Sequence, residues 1–391
     1  MKKSVAEKGV GSFTQGSCAE NVSPEMISSL HGLLLAWYST ACRDLPWRKT
    51  NDPYAVWLSE VMLQQTRVET VIPYWKRFMD AFPTIQALAE ASLESVLTLW
   101  SGLGYYRRAQ SLHRTAQQVC SHYAGLFPQT VRELCALDGI GAYTAGAIAS
   151  IAYQQPAPLV DGNVARVFAR IFAIREDVRQ KDGLKQVWKL AETLVSSDQP
   201  GEWNQAVMEL GSLICVPREP KCLLCPVSAV CEARIIGLER QLPIQLSKPK
   251  PTIEQRIAFV LVRDGHVLLG QRWRGINAGL WEPPMISMET SSSERVENQK
   301  AVLRQSFGIH ARQLCRVNSI SHILTHRRLE VEIWRGETVK ALKDEWKQDI
   351  YQTLKWVSLN AFEYCPLSML SRKILRAAGI SHRAQSPVDL S

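Results

Sequence analysis

The sequence predicts two folded domains of different class, an all-α domain followed by an α+β domain. Three observations predict this. From Ser23 to about Arg234 apolar residues recur with helical period and no strand alternation. A Pro- and Lys-rich run, Leu242-Pro243 through Lys248-Pro249-Lys250-Pro251, then interrupts the pattern as a semi-rigid basic linker. Beyond it the period becomes two. The 391 residues exceed one ordinary core, and 46% are hydrophobic, enough for two. The expected boundaries are a loose tail 1–22, a helical domain 23–236, a linker 237–253, an α+β domain 254–381 and a second tail 382–391.

In the first domain Ser23-Pro24-Glu25 has a capping serine and a proline at the first helical position. Asn51-Asp52-Pro53 repeats that signature before a helix over Tyr54–Arg67. Short turns such as Ala81-Phe82-Pro83 and Gly125-Leu126-Phe127-Pro128 divide the rest into about nine or ten helices, one over Val164–Ile174. In the second domain Arg256–Val262 and His266–Gly270 flank Arg263-Asp264-Gly265, a hairpin signal. Leu329–Trp334 alternates as a strand, and Glu294–Phe307 and Ser368–Ala378 read as helices.

The net charge of +9 and pI of about 9.0 favour a polyanionic partner, nucleic acid above all. No window has the 18 apolar residues of a membrane span, and the polar stretch after Met1-Lys2-Lys3 lacks a signal-peptide core, so the protein is expected to be intracellular. Ten cysteines in such a chain argue against a disulfide framework. Four of them fall within seventeen residues as Cys215-x6-Cys222-x2-Cys225-x5-Cys231, a ligand set that fits zinc or [4Fe–4S]. The absence of two matched C-x2-C pairs favours the cluster. Cys18, Cys42, Cys120, Cys135, Cys315 and Cys365 are scattered and read as buried or inert thiols.

Two carboxylates stand out. Glu60 has Val56, Trp57, Leu63 and Gln64 as its helical neighbours, a largely apolar face on which desolvation raises a carboxyl pKa as a general acid requires. A buried glutamate paired with an arginine fits the same spacing. Asp161 ends the run Ala157-Pro158-Leu159-Val160 and opens a helix, where the dipole and free N–H groups hold a carboxylate ionised; a plain helix cap fits too. Two carboxylates pushed in opposite directions are the acid-and-stabiliser pattern that cleaves a sugar C–N or C–O bond. Between them, Leu137-x-Gly139-Ile140-Gly141-Ala142 joins two helical stretches. As a helix-hairpin-helix it would let the backbone approach a phosphate.

Together these stretches resemble the endonuclease III superfamily of DNA glycosylases, and within it the MutY-type adenine DNA glycosylases. The resemblance rests on Leu45-Pro46-Trp47-Arg48, Trp57-x2-Glu60-Val61-Met62-Leu63-Gln64-Gln65-Thr66, Gly102-Leu103-Gly104-Tyr105-Tyr106, the hairpin, Val160-Asp161-Gly162-Asn163-Val164 and the four cysteines. It implies a helix-hairpin-helix glycosylase domain with an iron–sulfur cluster subdomain, then a Nudix-like domain. It implies removal of adenine mispaired with 8-oxoguanine or guanine in double-stranded DNA by a monomer that is nucleoid-associated when acting. By the same resemblance Glu60 protonates adenine, Asp161 and Tyr143 stabilise the sugar cation, and Asn163 partners the carboxylates. Gln65 and Tyr105 wedge into the duplex, filling the gap that an extruded base leaves. Arg43, Trp47, Arg48 and Gln205 line the adenine pocket, Gly139 and Gly141 meet phosphate, and Cys215, Cys222, Cys225 and Cys231 hold [4Fe–4S].

Departures from the family patterns sharpen these expectations. Relatives with lyase activity carry a lysine where this chain has Tyr143, so no Schiff base is expected. A glycosylase/lyase for oxidised pyrimidines is the alternative that this residue counts against. The stretch Ala301–Ile309 lacks the glutamates with which a Nudix hydrolase holds metal, so the second domain is expected to bind rather than hydrolyse. The family's Phe-Ser-His lesion-reading loop is here Leu324-Thr325-His326, and Asp138 replaces the usual hairpin proline, placing a negative charge near the phosphate site.

Overall fold

The computed structural model describes residues 22–244, 251–288, 296–324, 327–338, 350–360 and 365–380. By their contacts the described residues form two compact units, neither contiguous in sequence. One comprises 22–60, 127–136 and 140–244; the other comprises 61–126, 137–139 and the described residues from 251 onward. Among the described residues no helix is long and apolar enough to cross a membrane.

Local chemistry sets the helix starts. Ser23 caps α1 (Pro24–Ala41) by accepting from Met26 N at 3.3 Å. Asp52 accepts from Tyr54 N at 3.0 Å at the start of α2 (Pro53–Leu63). That helix is buried continuously from Tyr54 to Met62, as an all-round apolar helix must be. It ends four residues before the expected Arg67, because Gln65 turns into the left-handed region at φ +58°. Then follow α3 (Val68–Ala81), α4 (Ile85–Glu90), α5 (Leu93–Leu99), α6 (Arg107–Tyr123), α7 (Val131–Leu134), α8 (Ala142–Ala147), α9 (Gly162–Ile171), α10 (Lys181–Leu194), α11 (Pro200–Leu213) and α12 (Glu232–Ile235). The nine or ten expected helices are twelve here, because single-turn pieces such as α7 and α12 carry too little periodicity to read. Helix α8 runs on into a π-helical turn, Ile148–Ala152.

The first unit packs α1, α9, α10 and α11 around one core, with Leu30, Leu34, Phe168, Leu190, Trp203 and Leu210 among its members. Two glycines fix the approach to Asp161. A Cβ on Gly146 would stand 2.1 Å from Pro158 O, so α8 can lie directly against the segment that leads into Asp161. A Cβ on Gly211 would stand 2.7 Å from Asn163 Cβ, so α11 can touch the first turn of α9.

In the second unit a seven-stranded sheet has the order β3-β2-β1-β6-β5, with β4 on β1 and β7 on β2. The strands are β1 (Thr252–Arg263), β2 (His266–Arg272), β3 (Trp281–Glu282), β4 (Met285–Ser287), β5 (Ala311–Ile323), β6 (Arg327–Thr338) and β7 (Tyr351–Ser358). The expected hairpin turns at Asp264 and Gly265, both left-handed. Helix α13 (Val296–Phe307) packs against Ile257, Phe259 and Leu261 of β1. Helix α14 (Met369–Ala377) packs against Ala258 and Val260. The sheet is thus covered on both faces, which explains the unbroken burial of β1 from Ile257 to Leu261. The same unit ties α5 and α6 to this domain. Ser101 Oγ and Tyr106 Oη donate to Leu367 O at 3.2 and 3.0 Å, and Gln110 Nε2 donates to Ala278 O at 2.7 Å.

The scattered thiols are less hidden than expected. Cys42, Cys135 and Cys315 are exposed, at two helix ends and on strand β5, while Cys18 lies outside the described residues.

Candidate active site

Glu60 sits on α2 with 6% of its surface exposed. Tyr143 of α8 donates its hydroxyl hydrogen bond to Glu60 Oε2, and that hydroxyl also lies 3.5 Å from Met208 Sδ of α11. Burial raises the Glu60 carboxyl to about 7; the Tyr143 hydroxyl opposes the rise, the Asp161 charge adds to it and Arg48 opposes it. The group is therefore a proton donor near neutral pH. Burial and the two carboxylates hold the Tyr143 phenol well above its ordinary value, so it stays neutral.

Asp161 is the N-cap of α9. Its Oδ1 accepts from the backbone N–H groups of Asn163 and Val164 at 2.9 and 2.7 Å, and its Oδ2 accepts from Asn163 Nδ2 at 2.9 Å. The expectation of opposite pKa shifts needs correction. Burial raises Asp161 as well, and the donors from Val164 and Asn163 only offset part of it. What separates the two carboxylates is their donor count, three for Asp161 and one for Glu60. Asn163 is held in turn: its Oδ1 accepts from Arg166 Nη2 at 2.8 Å, and Arg166 also donates to Gly211 O at 2.7 Å and Cys215 O at 2.8 Å.

Trp47 is buried in the short 3-10 turn Pro46–Arg48. Arg43 and Arg48 converge on Glu209 of α11, a residue the sequence did not single out. Arg43 donates through Nε at 2.9 Å and Nη2 at 2.6 Å, and Arg48 through Nη1 at 3.1 Å and Nη2 at 3.0 Å. The Glu209 side chain is 1% exposed. Burial alone would raise its carboxyl, but the bonds from Arg43 and Arg48 outweigh that and hold it at about 2. Arg48 also lies over the Tyr38 ring, 5.4 Å from its centre. Gln205, one turn before Glu209, is half-buried and donates to Gly201 O at 3.3 Å.

Cys215, Cys222, Cys225 and Cys231 line one cavity, walled by Val167, Ile171, Leu210 and Val227. Among the described residues no three His, Cys, Asp or Glu side chains meet in a group that could hold a metal ion. Arg170, 1% exposed, donates from Nη1 to Cys215 Sγ at 3.2 Å and Val216 O at 2.8 Å, from Nη2 to Pro217 O at 2.9 Å and from Nε to Leu242 O at 2.8 Å.

Gly141 is the N-cap of α8. In the second unit Gly139 is left-handed, and the Asp138 charge is met by Arg114 Nε at 2.5 Å. Gln65 and Tyr105 also belong to that unit, and both are exposed. Thr325 and His326 lie outside the described residues.

Comparison with known proteins places the chain in a family. Residues 58–193 match the model of the HhH-GPD superfamily of base excision DNA repair proteins, and residues 257–377 match the NUDIX domain. The human adenine DNA glycosylase is 34% identical over 410 residues, covering 90% of this chain and 74% of that protein. The chain belongs to the adenine DNA glycosylase family. The rat adenine DNA glycosylase is 36% identical, with 88% and 76% covered. The Arabidopsis thaliana enzyme is 36% identical, and the alignment takes in 87% of this chain but only 63% of that relative's length. Among solved structures, a thermostable thymine-DNA glycosylase superposes with a TM-score of 0.51 at 28% identity, covering 55% of this chain and all of that one. Helix-hairpin-helix and Nudix-like folds thus follow one another in this family member.

The geometry fixes two outcomes. If protonated Glu60 drives the reaction, the rate should fall as pH rises through about 7. Tyr143→Phe removes the donor that favours the carboxylate, so this limb should move to higher pH; a limb that stays put or moves lower would show that Glu60 does not set it. Glu209 is held far below the ordinary 4.5, so its contribution to stability is present above that value and is lost as pH falls toward about 2. Glu209→Gln leaves Arg43 and Arg48 without their carboxylate. At neutral pH it should cost about 3–5 kcal/mol in urea unfolding, the usual cost of breaking a buried pair. A loss under about 1 kcal/mol would mean that the pair is not stabilising.

Proposed function

We propose that the chain is a monofunctional adenine DNA glycosylase acting on adenine opposite 8-oxoguanine or guanine in double-stranded DNA. The observation that carries the reading is the buried Glu60, protonated near neutral pH, under the Tyr143 hydroxyl and within the field of Asp161. Glu60 gives its proton to the adenine ring, and the sugar–base C–N bond breaks with its electron pair leaving on the base. The sugar is left as an oxocarbenium-like cation, which a nearby anion stabilises. Asp161, fixed by three donors, supplies that anion, and Asn163 aims it. Tyr143 stabilises the same cation and cannot form a Schiff base, which disfavours a glycosylase/lyase.

The remaining roles follow from the same family. Arg43, Trp47, Arg48 and Gln205 line the adenine pocket, and Glu209 fixes the two arginines. Gln65 and Tyr105 wedge into the duplex, Gly139 and Gly141 approach phosphate, and Thr325-His326 read the lesion. The net charge of +9 suits a polyanion, with phosphate contacts supplying most of the affinity.

The four cysteines fit a [4Fe–4S] cluster. A single zinc ion needs all four sulfurs about 2.3 Å from one point. Four thiols lining one cavity, with the buried Arg170 cation beside Cys215, suit an anionic cluster. Cys215, Cys222, Cys225 and Cys231 would hold it, and its contribution is to brace their loop.

The deciding experiment is single-turnover base release from duplexes carrying A opposite 8-oxoguanine, A opposite G, or thymine glycol, each with and without hot alkali. Adenine release with strand breaks only after alkali is expected. Glu60→Gln should lower the rate on the order of 10²- to 10⁴-fold while the duplex is still bound. His326→Ala should lower the 8-oxoguanine over G preference roughly tenfold. Release of thymine glycol with spontaneous strand breaks would reject the assignment.

Purified protein should be yellow-brown, absorbing near roughly 400 nm, and Cys225→Ser should bleach it. Stoichiometric zinc without iron would reject the cluster.

A further inference from the structure

Gln65 and Tyr105 both hold left-handed backbone, at φ +58° and +48°. For residues with a side chain this conformation is strained, and it persists only where the surroundings over-determine it. One side chain reaches both segments. Arg108, on the first turn of α6, donates from Nη1 to the carbonyls of Val61, Met62 and Gln64 at 2.9, 2.8 and 2.6 Å. From Nη2 it donates to Thr66 Oγ1 at 3.1 Å and Gly104 O at 3.2 Å. Its bonds therefore fall on both sides of Gln65 and immediately before Tyr105. Its guanidinium carbon also lies 5.4 Å from the Tyr105 ring centre and 5.3 Å from that of Trp100, and the Trp100 indole N–H donates to the same Gly104 carbonyl at 3.0 Å.

The charge of Arg108 is balanced unusually. Among the described residues no carboxylate pairs with it. It sits at the carbonyl end of α2, the negative pole of the helix, between two aromatic rings. A planar fork that serves five acceptors across two segments is geometry that guanidinium supplies and a lysine ammonium does not.

We infer that Arg108 is a positioning residue that locks the Gln65 and Tyr105 turns into one pre-set pair, so that both side chains meet the duplex together. The inference rests on the proposed reading of Gln65 and Tyr105 as wedges. It predicts that loosening one turn loosens the other, although forty residues separate them in the chain.

The test uses the full chain with Arg108→Lys, and with Thr66→Val, which removes one acceptor and leaves the arginine. Backbone hydrogen exchange at 64–66 and 104–106 without DNA reads the clamp. Fluorescence of 2-aminopurine placed beside the mispair, with single-turnover excision, reads the wedge. In Arg108→Lys both segments should lose protection together, the base-opening signal should fall, and excision should drop on the order of 10- to 100-fold, as for a displaced positioning group. Affinity for an undamaged duplex at fixed salt should not change. Thr66→Val should move both readouts the same way by less, and it carries the exchange test if Arg108→Lys does not fold. Retained protection in either segment, or wild-type excision with both loosened, overturns the inference. Full base opening in Gln65→Ala and Tyr105→Ala would instead remove the wedge reading, with the exchange data still deciding the clamp.

Discussion

The whole site depends on the desolvation of Glu60. An exposed glutamate would ionise near 4.5 and have no proton to give at neutral pH; this one is lifted to about 7. The lift requires that α2 be buried on every side, and its sequence from Tyr54 to Met62 supplies almost nothing but apolar surface. The arrangement has a thermodynamic cost. The unfolded chain releases this proton near 4.5 and the folded chain only near 7, so stability falls as pH rises between those values, by roughly 3 kcal/mol at 1.36 kcal/mol per unit. The remainder of the first unit, with its core of α1, α9, α10 and α11, must offset that cost.

Asp161 is also largely withdrawn from water, and burial raises its carboxyl too, against the donors that offset part of the rise. Its donors come from the start of α9 itself, which makes the site local and therefore robust. Its placement is not local. It depends on two glycines on other helices, Gly146 and Gly211, that let backbone come closer than any side chain would permit. Glu60 and Asp161 thus share a buried setting that raises both carboxyls, and they differ in their donors, one for Glu60 and three for Asp161.

That difference marks what could be read from the sequence. The cap at Asp161, the apolar face of Glu60, the Asp264-Gly265 turn and the four-cysteine spacing are short-range patterns, and each appears where its residues dictate. Glu209 left no trace, because its partners Arg43 and Arg48 stand 166 and 161 residues away. The rise in the Asp161 pKa was hidden for the same reason, since burial there is tertiary. Helix propensity carried α2 on to Arg67, but the structure ends it at Leu63, where an arginine from α6 takes the free carbonyls and Gln65 turns left-handed. The Thr325-His326 reading lies outside the described residues.

Three arginines show a common solution to holding irregular backbone near a titrating site. Arg108, Arg166 and Arg170 direct most of their donors to main-chain carbonyls: of Val61, Met62, Gln64 and Gly104; of Gly162, Gly211 and Cys215; and of Val216, Pro217 and Leu242. A carboxylate partner would have cancelled each charge and could itself be protonated in acid. A carbonyl partner does neither, and guanidinium keeps its charge throughout the working range of pH. The turns at Gln65 and Tyr105, the first turn of α9 and the cysteine loop are therefore held by bonds that do not change while Glu60 gains and loses its proton.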